Sequence, residues 1–301
     1  MIIELKNVNK NFKDTKAVID MSFSVKKGEV VGFVGANGAG KSTTITMLLG
    51  MIKPTSGSIV LFDNTIKPAT ASSSHHMIGY AAGDMSLPQR LSGKQYLDFV
   101  SSQYKKDVSK RRKQLEEIFL PELDKKIHEL SRGNKQKLAL IAAFLTSPNL
   151  VILDEPTSGL DPIMQEKFLQ LIKSEQNRGV TIFMSSHYLN EIAEVCTRII
   201  LMRKGRIIRD SPASKLLENS GKKVRIVTGY ARQTAPKNAE AVAIKVGDDK
   251  SRIIEFNWKR DAIELQVWLA SVKQLRDIEV TEYDVEMAFH EMYDDEKEIA
   301  K

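Results

Sequence analysis

A glycine-rich segment near the start of the chain has the residue types and spacing that hold a phosphate chain. It reads Gly35-Ala36-Asn37-Gly38-Ala39-Gly40-Lys41-Ser42-Thr43, which fits the pattern G-x-x-x-x-G-K-[ST]. Glycines let the backbone wrap around phosphates with amide hydrogens inward, and the start of a following helix adds positive potential. Lys41 then reaches the β- and γ-phosphates, and the Ser42 hydroxyl holds Mg²⁺. The segment predicts a nucleotide-binding protein.

Two adjacent acids, Asp154 and Glu155, follow an apolar run at residues 150–153. A carboxylate at the tip of a buried strand suits a Mg²⁺ partner, and this role falls to Asp154. Glu155 is placed to orient or deprotonate an attacking water. Phosphoryl transfer needs little beyond positioning, a metal and charge stabilisation. The alternative, that the two acids merely cap a strand, is the weaker interpretation because a phosphate loop lies upstream.

His187 follows another apolar run, at residues 181–186. A lone histidine is usually structural, but a histidine at a strand end in the same sheet can contact a γ-phosphate and sense its loss. We therefore take His187 as a second catalytic candidate. The remaining histidines show no metal-ligand spacing and are expected at the surface; they are His75, His76, His128 and His290.

Strands and helices must alternate to bring these groups together. The apolar run 30–34 before the phosphate loop predicts a buried central strand, with a helix at 43–51 after it. Helices are expected at 93–104, 109–120 and 134–145, and strands at 150–153, 181–185 and 198–202. This order predicts an α/β doubly wound sheet with a helical insertion. Beyond a boundary near residues 219–221, strand patterns, a helix at 261–272 and a terminal helix predict a small α+β domain.

Composition excludes some classes of protein. The chain has 301 residues, 42% hydrophobic and 28% charged, a globular balance. No stretch approaches the roughly 20 apolar residues of a membrane span, and the first residues do not resemble a secretory signal. The single cysteine, Cys196, excludes an intrachain disulfide and is expected to be a buried apolar residue. The net charge of +7 permits contact with nucleic acid or anionic membranes, although the lysines are scattered.

Taken in order, these motifs resemble the nucleotide-binding subunits of ATP-binding-cassette (ABC) transporters over roughly residues 2–218. Leu130-Ser131-Arg132-Gly133-Asn134 stands where that family has its LSGGQ signature. Ser158-Gly159-Leu160-Asp161 resembles the D-loop, and His187 the H-loop histidine. Phe12 stands where the family has an aromatic residue stacked on adenine. The resemblance implies a P-loop NTPase cassette at 1–220, with a mixed sheet and a helical subdomain at about 85–147, and a small C-terminal accessory domain at 221–301.

The resemblance also implies cofactors and partners. ATP and Mg²⁺ would lie between two cassettes paired head to tail, the second being another copy or a homologous chain. Ser131 and the Gly133 amide of one subunit would then contact the γ-phosphate of the ATP held by the other, and Asn134 and Asp161 are expected among the nucleotide-binding residues. A separate polytopic permease would bind the pair at the cytoplasmic face of the membrane, with the cassette itself cytoplasmic and peripheral. The ending at residues 277–282 and beyond resembles exporter subunits, although this likeness is weaker than that of the cassette.

The chain departs from the family pattern at two places. Gly83 stands where the family has a glutamine that touches Mg²⁺, so either Asp84 or Gln89 substitutes for it, or the contact is lost. In the signature, Arg132 replaces glycine and Asn134 replaces glutamine. Arg132 either strengthens capture of the opposite subunit's ATP or points to solvent, while Asn134 keeps an amide at the start of a helix, a good capping type.

Two other functions remain open at this point. One is an ABC ATPase that acts on nucleic acid or the ribosome without a permease, which the sequence pI near 9.2 allows. A single cassette without a long coiled coil argues against it, and no specific nucleic acid is expected. The other is a regulatory or immunity subunit that binds ATP but hydrolyses it poorly, which the altered signature and Gly83 allow.

Overall fold

The computed structural model describes residues 1–83, 86–188, 193–217, 221–247 and 249–282. The chain divides into two compact units, Met1–Ala213 and Ser214–Lys301. Among the described residues, no helix combines the length and the apolar character that crossing a membrane demands.

The first unit contains ten described strands and most of the helices. In chain order, the strands are β1 (Ile3–Phe12), β2 (Thr15–Val25), β3 (Val30–Val34), β4 (Ser56–Leu61), β5 (Asn64–Thr65), β6 (Ile78–Ala81), β7 (Leu150–Asp154), β8 (Thr181–Ser186), β9 (Arg198–Arg203) and β10 (Arg206–Pro212). The helices are α1 (Lys41–Leu48), α2 (Ser72–His75), α3 (Gly93–Ser102), α4 (Ser109–Phe119), α5 (Arg132–Phe144), α6 (Pro162–Asn177) and, across the division between units, α7 (Ala213–Leu217).

A six-stranded sheet carries the candidate site, with strand order β10-β9-β3-β8-β7-β6. All neighbours are parallel except β9 and β10. Strands β3, β8 and β7 are adjacent, and in register their last residues pair as Val34 with Ser186 and Asp154 with Ser185. Their carboxyl ends therefore share one edge, which brings the phosphate loop, Asp154, Glu155 and His187 together.

The second sheet of this unit is antiparallel, with order β2-β1-β4-β5. Its apolar side chains share one buried core with those of the six-stranded sheet. Phe23 of β2 lies against Phe33 and Phe183 of the larger sheet, with ring centroids 6.0 and 5.8 Å away. These three side chains are buried, as uniformly apolar central strands require. The predicted strand 30–34 is confirmed.

Three helices, α3, α4 and α5, occupy the segment predicted as helical. Ser92 caps α3 and forms a capping box with Gln95. Helix α5 begins at Arg132, two residues before the expected start at Asn134, because the Ser131 side chain accepts a hydrogen bond from the Asn134 backbone and makes Ser131 the N-cap. A side chain at Gly79 of β6 has no room, because its Cβ would lie 1.9 Å from the carbonyl oxygen of Ala143 in α5. The absence of a side chain at Gly79 thus allows α5 to pack closely on β6.

Beyond α7, the described part of the second unit is a four-stranded antiparallel sheet with one helix. Its elements are β11 (Lys222–Thr228), β12 (Glu240–Val246), β13 (Arg252–Trp258), α8 (Ala262–Ser271) and β14 (Leu275–Glu282), and the strand order is β12-β13-β11-β14. Val224, Ile226 and Phe256 form its buried core, with Leu265 of α8 packed on them. The expected strands and the helix at 261–272 are confirmed, while the expected terminal helix lies outside the described residues.

Candidate functional site

The phosphate loop joins β3 to α1 in the strand–loop–helix context that its motif requires. Gly40 is the N-cap of α1 with φ of 107°, a left-handed conformation. A Cβ at Gly40 would also lie 2.3 Å from the carbonyl oxygen of Ala17, so conformation and space both require glycine there. A hollow of about 330 Å³ is lined by several loop residues, whereas the side chain of Ala39 is buried. The lining residues of the motif are Asn37, Gly38, Gly40, Lys41, Ser42 and Thr43.

Lys41 is the buried cation of the site. Its side chain is only 6% exposed. Nζ donates to the carbonyl oxygen of Gly35 at 2.6 Å and lies 3.1 Å from Glu155 Oε1. A buried ammonium needs such partners, since burying a charge without compensation is costly. The carboxylate of Glu155 therefore balances the charge of the lysine that the motif assigns to the β- and γ-phosphates.

Glu155 is held from both sides. His187 Nδ1 lies 2.5 Å from Glu155 Oε2, and the Glu155 amide donates to Ser185 Oγ at 3.0 Å. The backbone of Glu155 has φ of 49°, which is uncommon for a side chain larger than that of glycine. Oε1 is buried and lacks an aligned hydrogen-bond donor among the described residues. The structure thus joins the two predicted catalytic residues, with one carboxylate oxygen of Glu155 beside Lys41 and the other beside His187.

Asp154 and Ser42 supply the oxygen atoms that suit Mg²⁺. Both line a wider hollow of about 990 Å³, and Asp154 Oδ1 accepts a hydrogen bond from Ser185 Oγ at 2.5 Å. Mg²⁺ is usually held by one or two carboxylates, a hydroxyl and phosphate oxygens, so this pair fits the ion. Burial, together with the charge of Asp154, raises the pKa of the neighbouring Tyr80 to about 12. Tyr80, which lines the same hollow, therefore stays neutral.

Several residues of the site carry no motif and were missed by sequence reasoning. Lys16 and Ala17 of β2 line the smaller hollow, as do Lys204 and Gly205. The last two form the turn between β9 and β10, both with positive φ. A Lys-Gly turn followed by a strand at 206–212 is a recognisable hairpin signal, but that strand was not expected. Lys16 belongs to no sequence motif, so the sequence gives no signal that it lines the site.

The signature residues sit at the start of α5. Ser131 is the N-cap, and Asn134 Nδ2 donates to Glu122 Oε1 at 2.7 Å, so the Asn134 amide ties α5 to residue 122. A Cβ at Gly133 would lie 2.5 Å from the carbonyl oxygen of Gly159, so the signature and the D-loop touch within one chain. The expected contacts of Ser131, Gly133 and Asn134 with ATP involve a second subunit and stay predictions.

Two further predicted residues have local partners in the chain. Asp161 caps α6, with Oδ1 accepting from the Met164 amide at 2.9 Å. Phe12 ends β1 and is 46% exposed, with the Lys10 ammonium 4.8 Å from its ring centroid. Its register partner is Thr15, which lines the smaller hollow. Contact of Asp161 or Phe12 with nucleotide stays a prediction.

Gly83 stands at the position where the family has a glutamine, and no described side chain takes the place of that glutamine beside Asp154. Gly83 lines the wider hollow, and a Cβ there would lie 3.1 Å from the carbonyl oxygen of Asp154. Asp84, the predicted metal ligand, lies outside the described residues. Gln89 donates to the carbonyl oxygen of Leu87 and lines a separate apolar hollow, so the structure does not bring it to Asp154.

Arg132 does not simply point to solvent. Its Nη2 donates to Ser158 Oγ at 2.7 Å, within the same chain. The side chain also lines the wider hollow that contains Asp154 and Glu155. The substituted signature residue therefore contacts the D-loop of its own subunit.

Comparison with known proteins gives a consistent result. The family model described as ABC transporter matches residues 18–158. YhcH, an ABC transporter ATP-binding protein of Bacillus subtilis, is 30% identical over 99% of this chain and 97% of its own length. The Nod factor export ATP-binding protein I of Burkholderia orbicola is 33% identical over 72% of this chain and 73% of its length. YbhF, a probable multidrug ABC transporter ATP-binding protein of Escherichia coli, is 36% identical, but the chain spans only 38% of it.

Solved structures agree with the fold. An ATP-binding subunit of an ABC transporter superposes with a TM-score of 0.66 at 26% identity, over 72% of this chain and 92% of that one. A dimeric bacterial ABC transporter cassette, MJ0796, superposes with a TM-score of 0.65 at 25% identity, over 70% of this chain and 98% of that one. The expected P-loop cassette fold is confirmed.

Proposed function

The chain belongs to the ATP-binding proteins of the ABC transporter family, which are ATPases, and on this premise we propose that it hydrolyses ATP to drive a membrane permease made of separate chains. The observation that carries the proposal is the meeting of Lys41, Glu155 and His187 at the edge of the sheet, beside the phosphate loop. Phosphoryl transfer uses a cation to stabilise phosphate charge and a residue that positions the nucleophile. We assign the first role to Lys41 and the second to Glu155, whose carboxylate His187 orients.

ATP binding begins with an exchange of partners at Lys41. The phosphates take the place of the Glu155 carboxylate beside the Lys41 ammonium, while the amides of the loop and the start of α1 hold the chain of phosphates. Glu155 is then free to accept a hydrogen bond from the attacking water. His187, 2.5 Å from its other oxygen, keeps the carboxylate oriented. Lys41 stabilises the charge that develops on the transferred group.

The cofactor of this reaction is Mg²⁺, with Ser42 and Asp154 as the residues that would hold it. When bound, the ion neutralises charge on the phosphate oxygens and fixes their position. Asp84 is a third candidate on sequence grounds. Ser185 steadies Asp154 through its hydrogen bond to Oδ1.

A second cassette completes each nucleotide site in this proposal. Ser131, Gly133, Asn134 and Asp161 of one copy contact the nucleotide bound by the other, while Phe12 stacks on the adenine of its own copy. The solved cassette MJ0796 is described as dimeric, which supports pairing. ATP favours the closed pair because it contacts both copies, and hydrolysis releases them.

The proposed docking site for the permease lies on α3. Phe99 is 55% exposed and lines a hollow of about 490 Å³ together with Pro88, Gln89, Arg90 and Leu91. An exposed aromatic side chain in an apolar hollow is typical of a protein interface. We propose that a cytoplasmic segment of the permease docks there, which places the chain at the cytoplasmic face of the membrane. The name of the Nod factor export relative favours export.

Purification from membranes of the native cell tests the partner. A tagged chain is recovered after gentle solubilisation, with and without ATP, and its companions are identified. A stoichiometric protein with several membrane spans is the expected result. Recovery with ribosomes or nucleic acid alone would overturn the transporter role.

A pair of variants then tests the proposed permease docking site. Phe99→Asp should lose the permease while the free chain hydrolyses ATP as before, because residue 99 lies outside both hollows of the nucleotide site. Met51→Asp, which changes another exposed apolar side chain, serves as the control and should keep the permease. Equal recovery of permease with both variants would contradict the proposed docking site.

A further inference from the structure

Arg132 makes two contacts with the loop that follows Glu155. Its guanidinium donates from Nη2 to Ser158 Oγ at 2.7 Å. Its aliphatic carbons cover Gly159, since a Cβ built on Gly159 would lie 3.1 Å from Cγ and 3.3 Å from Cδ of Arg132. A glycine at residue 132, as in the family signature, would offer neither contact.

The first turns of α5 hold the rest of this loop as well. Gln136 is fully buried and donates from Nε2 to the carbonyl oxygen of Pro156 at 2.8 Å. The backbone at Gly133 lies against the carbonyl oxygen of Gly159. Residues 156–159 are therefore tethered to α5 at their start by Gln136 and at their end by Arg132.

The tether at Ser158 acts directly on Glu155. The Ser158 amide donates to the carbonyl oxygen of Glu155 at 3.1 Å, which closes a turn over residues 155–158. The left-handed backbone of Glu155 has to be maintained by its surroundings. A displacement of Ser158 shifts this turn, and with it the carboxylate between Lys41 and His187.

We propose that Arg132 is a positioning residue that holds the Glu155–Ser158 turn in the geometry for hydrolysis, acting in its own subunit through Ser158. The proposal rests on the hydrolytic function proposed above. This positioning role of Arg132 differs from a role in binding the phosphates of the opposite subunit's ATP. Phosphate binding would need the Arg132 guanidinium but not Ser158.

The test compares Arg132→Met with Ser158→Ala. Methionine keeps an unbranched chain over Gly159 but lacks the donor, and alanine lacks the acceptor. Each variant should lower kcat for ATP about tenfold, the effect of losing one charge-assisted hydrogen bond, with KM for ATP unchanged. The double variant should lower kcat no further, because both changes break one contact. Arg132→Lys, which keeps a cationic donor, should recover part of the rate, and Lys137→Met on the same helix serves as the control for lost charge.

Three results would overturn the proposal. One is a kcat unchanged in both single variants, and another is additive losses in the double variant. The third is a raised KM or weakened ATP-driven pairing in Arg132→Met with normal behaviour in Ser158→Ala, which would assign Arg132 to the opposite subunit's nucleotide.

A second measurement separates this proposal from the hydrolytic function itself. Amide hydrogen exchange of residues 155–159 is measured in the nucleotide-free chain. Faster exchange is expected in both single variants and not in Lys137→Met, because the turn loses its tether. If the parent chain hydrolyses no ATP, the proposed function fails, and exchange still decides whether Arg132 holds the turn. Unchanged exchange in both single variants would contradict the tether.

Discussion

At the scale of the residue, Glu155 has two partners that act at different stages. Its Oε1 lies 3.1 Å from the Lys41 ammonium, and its Oε2 lies 2.5 Å from His187. In the proposed function, phosphate replaces the first contact when ATP binds, whereas the second contact persists through hydrolysis. The carboxylate, in this proposal, balances the charge of Lys41 before phosphate binds and accepts a hydrogen bond from the attacking water afterwards.

Glu155→Gln separates these two roles. An amide cannot serve as a general base, so turnover of ATP should fall by about 100-fold or more. Nucleotide binding should persist or tighten, because Lys41 loses the carboxylate that competes with phosphate. Hydrolysis rates and equilibrium binding of ATP measure both effects.

The control for this change is Glu166→Gln, on the exposed face of α6, where the carboxylate contacts only Gln170 among the partners that the structure describes. It should leave turnover and binding unchanged. Parent-like hydrolysis in Glu155→Gln would remove the role assigned to Glu155.

At the scale of the element, the packing of α5 on β6 determines the position of the signature residues at the start of α5. The backbone of α5 approaches β6 so closely at Gly79 that a methyl group would clash with the Ala143 carbonyl. At its other end, α5 begins at Arg132 and contacts the loop after Glu155 through Gln136 and Arg132. One helix therefore connects the sheet to the turn that carries Glu155, the proposed catalytic carboxylate.

Gly79→Ala should destabilise the protein by about 1–3 kcal/mol, the usual cost of forcing an extra group into a close-packed region. It should also slow hydrolysis, since α5 must move away from β6. Denaturant unfolding and the ATPase rate measure the two effects.

Ser102→Ala, on an exposed position of α3, is the control and should stay within about 0.5 kcal/mol of the parent. If Gly79→Ala matched that control in stability, the close approach of α5 to β6 would not be a constraint on the fold.

At the scale of the whole molecule, nucleotide should stabilise the unit that contains the phosphate loop. A ligand that binds only the folded state at about 100 times its Kd adds about 2.7 kcal/mol to the free energy of unfolding. Unfolding monitored with and without MgATP should show this increase for the parent chain. Lys41→Ala should show none, and an equal increase in that variant would contradict binding at the phosphate loop.

The single cysteine reports on the same unit. Cys196 is buried, and burial raises the pKa of its thiol well above the ordinary value. The thiolate is the reactive form, so alkylation at about pH 8 should be slow in the folded protein and fast in denaturant. Because reaction requires opening, the native rate should be lower by about a thousandfold or more. Equal rates in both conditions would show that Cys196 is accessible in the native state.

The sequence by itself determined the features whose signals are short and continuous. The phosphate loop, the acid pair and most strands and helices follow from residue types within a few positions, where periodicity, glycine conformation and capping act locally. It also indicated, through the order of its motifs, the family to which the chain belongs.

Only the tertiary structure decided which side chains meet. His187 and Glu155 are separated by 32 residues, and Arg132 and Ser158 by 26, yet each pair is in contact. No local pattern marks these partners, because they meet only after β7 and β8 pair in register and α5 packs on β6. The same holds for the role of Glu155 as the counter-ion of Lys41, since a partner for a buried charge is chosen by burial and distance and not by spacing along the chain.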